Sequence, residues 1–219
     1  MKIKFTISSR ILGFDKTYPV VITSLLESGI DPNDIYFVIG GHDVYSQEIN
    51  EDGINIIKST QNSIDYTGLI SVIEQNIYSD YWVLLHDTCY VGSNFYKTIK
   101  EYDYKNKPAV ALSNDLSMNI GAYSWQYLEN IKSDLMQFRN TDFSESSIQH
   151  WKQIGILNED RYLLQFRTQY HYTDIPRTST GPVDLYLTGV PRMIEYFGGI
   201  DLYKVKANWY NKNNYELKV

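Results

Sequence analysis

Cysteine is almost missing from this 219-residue chain: Cys89 stands alone, so no internal disulfide and no multi-cysteine zinc site can be built. No apolar run approaches the roughly 20 residues that span a bilayer. The opening MKIKFTISSR alternates as a strand does and has no apolar stretch of the kind that precedes signal cleavage. No Asn-x-Ser/Thr acceptor occurs, so a reducing, cytoplasmic compartment is the expectation. A basic excess is lacking too. Lys and Arg number 20 against 26 Asp and Glu, a net charge of −6, which argues against a general nucleic-acid binder. Gly-x-x-x-x-Gly-Lys-Ser/Thr, Gly-x-Gly-x-x-Gly, Gly-x-Ser-x-Gly and His-Glu-x-x-His are all absent.

What remains is ordinary in bulk and unusual in one respect. Hydrophobic residues at 43% and charged residues at 21% describe a globular chain with a real core. The length suits one domain, 1–219. Tyrosine occurs 20 times, and aromatics reach 15%. Tyrosine suits surfaces that are flat, apolar and hydrogen-bonding together, which sugar sites, protein interfaces and amphipathic cores all use.

Strand and helix signals alternate through the first half. Residues 3–8 read as a strand, and Thr17-Tyr18-Pro19 as a helix start with Pro in the first turn, ending at Gly29. IYFVIGG (35–41) and INIIK (54–58) read as strands, with a Ser63-capped helix after them. YWVLLHDTC (81–89) is the most apolar strand, and a Ser93-capped helix and PAVALS (108–113) follow. A strand near 118–124, a helix over 125–138 and a short helix at 144–154 complete this part. Gly189, Pro191 and Gly198-Gly199 bracket a late helix, before a last strand at 200–207. Strands spaced by helices predict an α/β fold with a mainly parallel sheet and a less regular C-terminal third.

Asp87 ends the most apolar strand, where ligands of open α/β sheets bind. A carboxylate there can hold Mg²⁺ or Mn²⁺ against a diphosphate, or can simply close a turn. In the order and spacing of its segments the chain resembles the GT-A glycosyltransferases, which use nucleotide sugars. The likeness runs through IKFTIS, TYPVVITSLLESG, IYFVIGG, NSIDYTG, the strand with its acidic motif, and NIGAYSW (119–125). The stretch from Asp184 to Trp209 is similar to small glycosyltransferase domains of large DNA viruses of algae, for which the host cytoplasm would be the compartment. The family usually carries Asp-x-Asp; here His86-Asp87-Thr88 keeps one aspartate.

The resemblance implies a nucleotide-binding half at about 1–115 and an acceptor and lid half at about 116–219. It places Thr6, Ser8, Ser9 and Arg10 on uracil, ribose and phosphate, with Gly40, Gly41, Asp65, Tyr66 and His86 close by. Arg suits bidentate phosphate recognition, although an exposed Arg and a helix-start Asp are also common without any ligand. Asp87 would be the metal ligand for Mn²⁺ or Mg²⁺, with His171 as the late histidine completing the shell. Gly121, Tyr123 and Trp125 would meet the acceptor, or form an aromatic core. Asp142, Glu145, Asp174 and Asp184 are candidate bases, with Asp184 taken forward beside Asp87, and stereochemistry stays open. Arg161, Arg167 and Arg177 lie in a segment that could close over the donor. Lys204 and Lys206 alternate with apolar residues and read as the wet face of a strand. The expected activity is metal-assisted transfer of a hexose or deoxyhexose from a UDP-sugar to a glycan or glycoprotein. The competing expectations are a non-catalytic nucleotide-sugar or glycan-binding module and, ranked last, a nucleotidyltransferase.

Overall fold

The computed structural model describes residues 1–11, 13–113, 118–139, 168–171 and 191–207. Strand β1 (Ile3–Arg10) leads into helix α1 (Phe14–Glu27), then β2 (Ile35–Gly40), β3 (Ser46–Ile49) and β4 (Asn55–Ser59). A 3-10 turn at Ile64–Tyr66 opens α2 (Thr67–Glu74), which is followed by β5 (Tyr81–His86), β6 (Cys89–Val91) and α3 (Phe95–Glu101). Then come β7 (Ala109–Ala111), β8 (Gly121–Ser124), α4 (Trp125–Asn130) and α5 (Lys132–Met136). Strands β9 (Thr168–His171), β10 (Pro191–Phe197) and β11 (Leu202–Ala207) complete the described elements.

Seven strands form the central sheet in the order β3-β4-β2-β1-β5-β8-β7. Its middle, β4-β2-β1-β5, is parallel, and the outer strands β3, β8 and β7 pair antiparallel. The mixed α/β class with a large, mostly parallel sheet is therefore as expected. The central strands are apolar on both faces because both faces are covered. Ile3, Phe5, Ile7, Ile35, Phe37, Val83 and Leu85 pack with Val21, Ile22 and Leu25 of α1 and Phe95 and Ile99 of α3. Tyr36, Val38, Trp82 and Leu84 pack on the other face with Leu69, Ile70 and Ile73 of α2 and Leu128 of α4. Each such side chain fully buried contributes roughly 1.5–3 kcal/mol, so two layers, not one, hold the sheet.

A second, four-stranded antiparallel sheet in the order β6-β11-β10-β9 was not foreseen. It arises where the apolar stretch 81–89 breaks. Asp87 N–H still bonds Ser8 O at 3.0 Å, but the chain then turns, and Cys89 pairs with Lys204 of β11. The expected late helix is instead β10. Gly198 and Gly199 make the turn of a hairpin, with Ile200 N–H bonded to Phe197 O at 3.1 Å and Asp201 at φ 56°. Buried Phe197 beside half-buried Tyr196 is the period of a strand.

Several boundaries also move. Helix α1 starts at a left-handed Gly13 (φ 97°), ahead of Thr17, which leaves Pro19 inside the helix. Tyr66, not Ser63, precedes α2, and the Ser63 hydroxyl donates to Gln61 Oε1 and Phe138 O. Asn94, not Ser93, precedes α3. The helix expected over 125–138 is interrupted at Ile131, and the strand expected at 118–124 is shorter, at Gly121–Ser124. The helix at 144–154 lies outside the described residues, as do Arg161, Arg167, Arg177, Asp142, Glu145, Asp174 and Asp184.

Candidate functional site

From β1 the chain runs outward to β2 and β4, then returns to place β5 on the other side of β1. The strand order therefore reverses between β1 and β5, and the carboxyl ends of these two strands form the crevice where open α/β sheets bind ligands. Ser8, Ser9 and Arg10 end β1, and His86 and Asp87 end β5, with Ser8 directly opposite His86. Arg10 pairs with Gly40 at the end of β2, and Gly41 beside it takes φ 90°, a conformation that glycine adopts without strain.

The crevice has two sides, set by the alternation of β1. On the α1 side, Ser9 Oγ donates to Asp87 Oδ2 at 2.6 Å and Thr17 Oγ1 donates to the same oxygen at 3.1 Å. Burial pushes the Asp87 carboxyl above its ordinary range, against the pull of these two hydroxyls and of the Lys204 and Arg10 charges. On the α2 side, Ser8 Oγ donates to Asp65 O at 2.7 Å and accepts from Gly68 N–H at 2.9 Å, which pins the start of α2 to the sheet. Asp65 Oδ1 then lies 3.5 Å from His86 Nε2, while Asn119 Nδ2 donates to Asp65 Oδ2 at 2.8 Å. Burial works to raise the Asp65 carboxyl, but His86, Lys204 and Asn119 outweigh it and hold the group below its ordinary range.

Two carboxyl groups at one sheet edge are thus driven in opposite directions. Asp65 is kept ionised and Asp87 is pushed toward its neutral form, the separation that acid and base roles require. Both carboxyls feel the charge of Lys204, a residue whose alternation with apolar neighbours reads as a wet face. Its strand brings it over the crevice in register with Cys89, half-buried, and its Nζ meets His86 Nδ1. Thr17 and Asn119 were likewise missed. Each sits on an element adjoining the crevice, but Ser, Thr and Asn are too common for either to stand out in the sequence.

Other expected site residues sit elsewhere. Thr6 is fully buried, and its hydroxyl has no partner among the described residues. Tyr66 and Tyr123 are core residues at 1% and 0% exposure. Gly121 is buried in register with Leu84, near the crevice end of β5. Trp125 lies at the opposite end of the sheet, its N–H bonded to Asp80 O at 3.0 Å and its ring edge-on to Tyr78. His171 ends β9 in register with Ile194, two positions along β10 from Tyr196. Among the described residues no three His, Cys, Asp or Glu side chains converge as a metal would need. The crevice donor set does not fit a divalent cation: Asp87 and Asp65 face opposite sides, each is engaged by its own donors, and the charge of Lys204 acts on both. No helix among the described residues is long and apolar enough to cross a membrane.

The chain matches no family model and no curated protein at a significant level.

Proposed function

We propose that this chain is a GT-A-type glycosyltransferase that binds a nucleoside diphosphate sugar at the carboxyl edge between β1 and β5 and transfers the sugar to a carbohydrate acceptor. One observation carries the reading. Ser8, Ser9, Arg10, Gly41, Asp65, His86 and Asp87, scattered through the first half of the sequence, gather at a single sheet edge where the strand order reverses. Arg10 is exposed at the end of β1, placed for phosphate oxygens. The Asp87 carboxyl, pushed toward its neutral form, can donate a hydrogen bond to an oxygen of the departing diphosphate. Charge that builds on that leaving group is the term such a site must stabilise.

The test is a thermal-shift panel of UDP, GDP and their sugars, followed by transfer assays with glycan acceptors. A nucleotide at a hundredfold excess over its Kd should add about 2.7 kcal/mol of stability. Asp87→Ala should abolish transfer. No response to any nucleotide diphosphate, or full transfer by Asp87→Ala, refutes the reading. The single aspartate of His86-Asp87-Thr88 favours the non-catalytic alternative, which predicts nucleotide binding with no turnover of any donor.

A further inference from the structure

We propose that Lys204 is the cation that grips the diphosphate, so that the donor binds this chain without a divalent metal; this rests on the donor site proposed above. The ammonium enters from the second sheet and meets His86 at the end of β5. Its charge acts on Asp65, Asp87 and Cys89 alike. Of its three N–H donors one meets His86 Nδ1, and among the described residues two remain for phosphate oxygens. His86 is the positioning residue: its Nε2 lies 3.5 Å from Asp65 Oδ1, and the ring's other nitrogen meets Nζ.

A metal in the same place would meet an arrangement built for something else. Mg²⁺ and Mn²⁺ want oxygen ligands turned toward one point. Asp87 turns one oxygen to Ser9 and Thr17, and Asp65 is spread between Asn119 and His86. A divalent ion between them would also lie against the ammonium. The exposed Arg10 adds a second fixed positive charge on the same edge. Two permanent cations supply without a metal what a diphosphate requires.

Calorimetry on the full chain with UDP, GDP and inorganic pyrophosphate, in excess EDTA and again with Mn²⁺, tests this. The nucleotide that binds should do so with Kd unchanged within about twofold between the two conditions. Lys204→Met should weaken it by about 10- to 100-fold, the loss expected for hydrogen bonds to a charged group. Uridine or guanosine, which lacks phosphate, should bind the variant as it binds the parent chain, and a merely structural role for Lys204 would not separate the two. Lys204→Arg, which keeps the charge, should recover most of the lost affinity and guards against a variant that fails to fold. Binding that tightens more than about tenfold with Mn²⁺, or a Lys204→Met variant with unchanged affinity, overturns the inference and leaves the donor site standing. Absence of binding to all three probes in both conditions overturns the donor site and this inference together.

Discussion

Gly68 is the position where a single methyl group should disturb both fold and site. A Cβ there would fall well inside van der Waals contact with Thr6 Oγ1, and would lie 3.1 Å from Ser8 Oγ and 3.4 Å from Ser8 N. The start of α2 therefore rests directly on β1, and Gly68 N–H is bonded to Ser8 Oγ at 2.9 Å. Gly68→Ala must push the helix outward or stretch that bond. Overpacking of this kind costs about 1–3 kcal/mol. At this chain length that is a fall in Tm of roughly 2–4 °C per kcal/mol, to be measured by denaturant and thermal unfolding with the m-value as a check on the two-state assumption. The same outward shift carries Asp65 away from His86, so nucleotide affinity should fall with stability. Thr6 supplies the control. Its hydroxyl is buried with no partner among the described residues, so Thr6→Ala removes the main obstacle and should cost little itself. In the double variant the penalty of Gly68→Ala should shrink by about 1 kcal/mol or more, a coupling that distant, independent sites do not show. A Gly68→Ala variant as stable as the parent, or a penalty unchanged by Thr6→Ala, refutes the packing argument.

The two crevice carboxyls should give opposite pH signatures. Asp65 sits below its ordinary range when folded, so it contributes stability above the unfolded pKa that is lost as pH falls through the folded one; Asp65→Asn should flatten the acid limb of a stability–pH curve. Asp87 sits above its ordinary range, so its ionisation opposes folding as pH rises from the unfolded pKa through the folded one, and Asp87→Asn should remove that loss; a curve unchanged by either variant contradicts the assignment. At the hairpin, Asp201 Oδ2 accepts from Asn94 N–H at 3.1 Å, and Gly92 N–H bonds Asp201 O at 2.8 Å. Asp201→Ala should cost about 1–3 kcal/mol and, three residues from Lys204, weaken pyrophosphate binding as well; unfolding and calorimetry on one sample would expose a variant that changes only one of these.

The central sheet was legible because its signal is local. Strands covered on both faces must be apolar throughout, and runs such as Ile35–Ile39 and Trp82–Leu85 announce themselves without reference to any partner. The second sheet had no such signal. Cys89–Val91 reads as the tail of the apolar run before it, and only the turn at Asp87 and Thr88, fixed by contacts to Ser8, Ser9 and Thr17, shows that the chain has changed sheets. Gly198-Gly199 punctuates a hairpin as well as it stops a helix, and the choice belongs to the pairing of β10 with β11. Ser63 and Ser93 look like helix caps, yet a cap depends on where the helix begins, which tertiary contacts decided here.

The site divides along the same line. A residue that a strand delivers to its own carboxyl end could be named in advance, because the end of an apolar run is visible in sequence: Asp87 is of this kind, while Ser9, Arg10 and His86 came with the family resemblance. Lys204 is of neither kind. Its strand alternates charge with apolar residues, a pattern that reads as one wet face and one dry face. Leu202 goes into the core beside Phe197, and Lys204, two residues on, shares its side of the strand but has passed the edge of that core. What it meets there is the polar crevice rather than solvent. A charged side chain on the inward face of a strand is costly unless something repays its desolvation. Here His86 and the two carboxyls do so in part, and a diphosphate would complete the balance. That is why the residue hardest to find from sequence is the one on which metal-free binding turns.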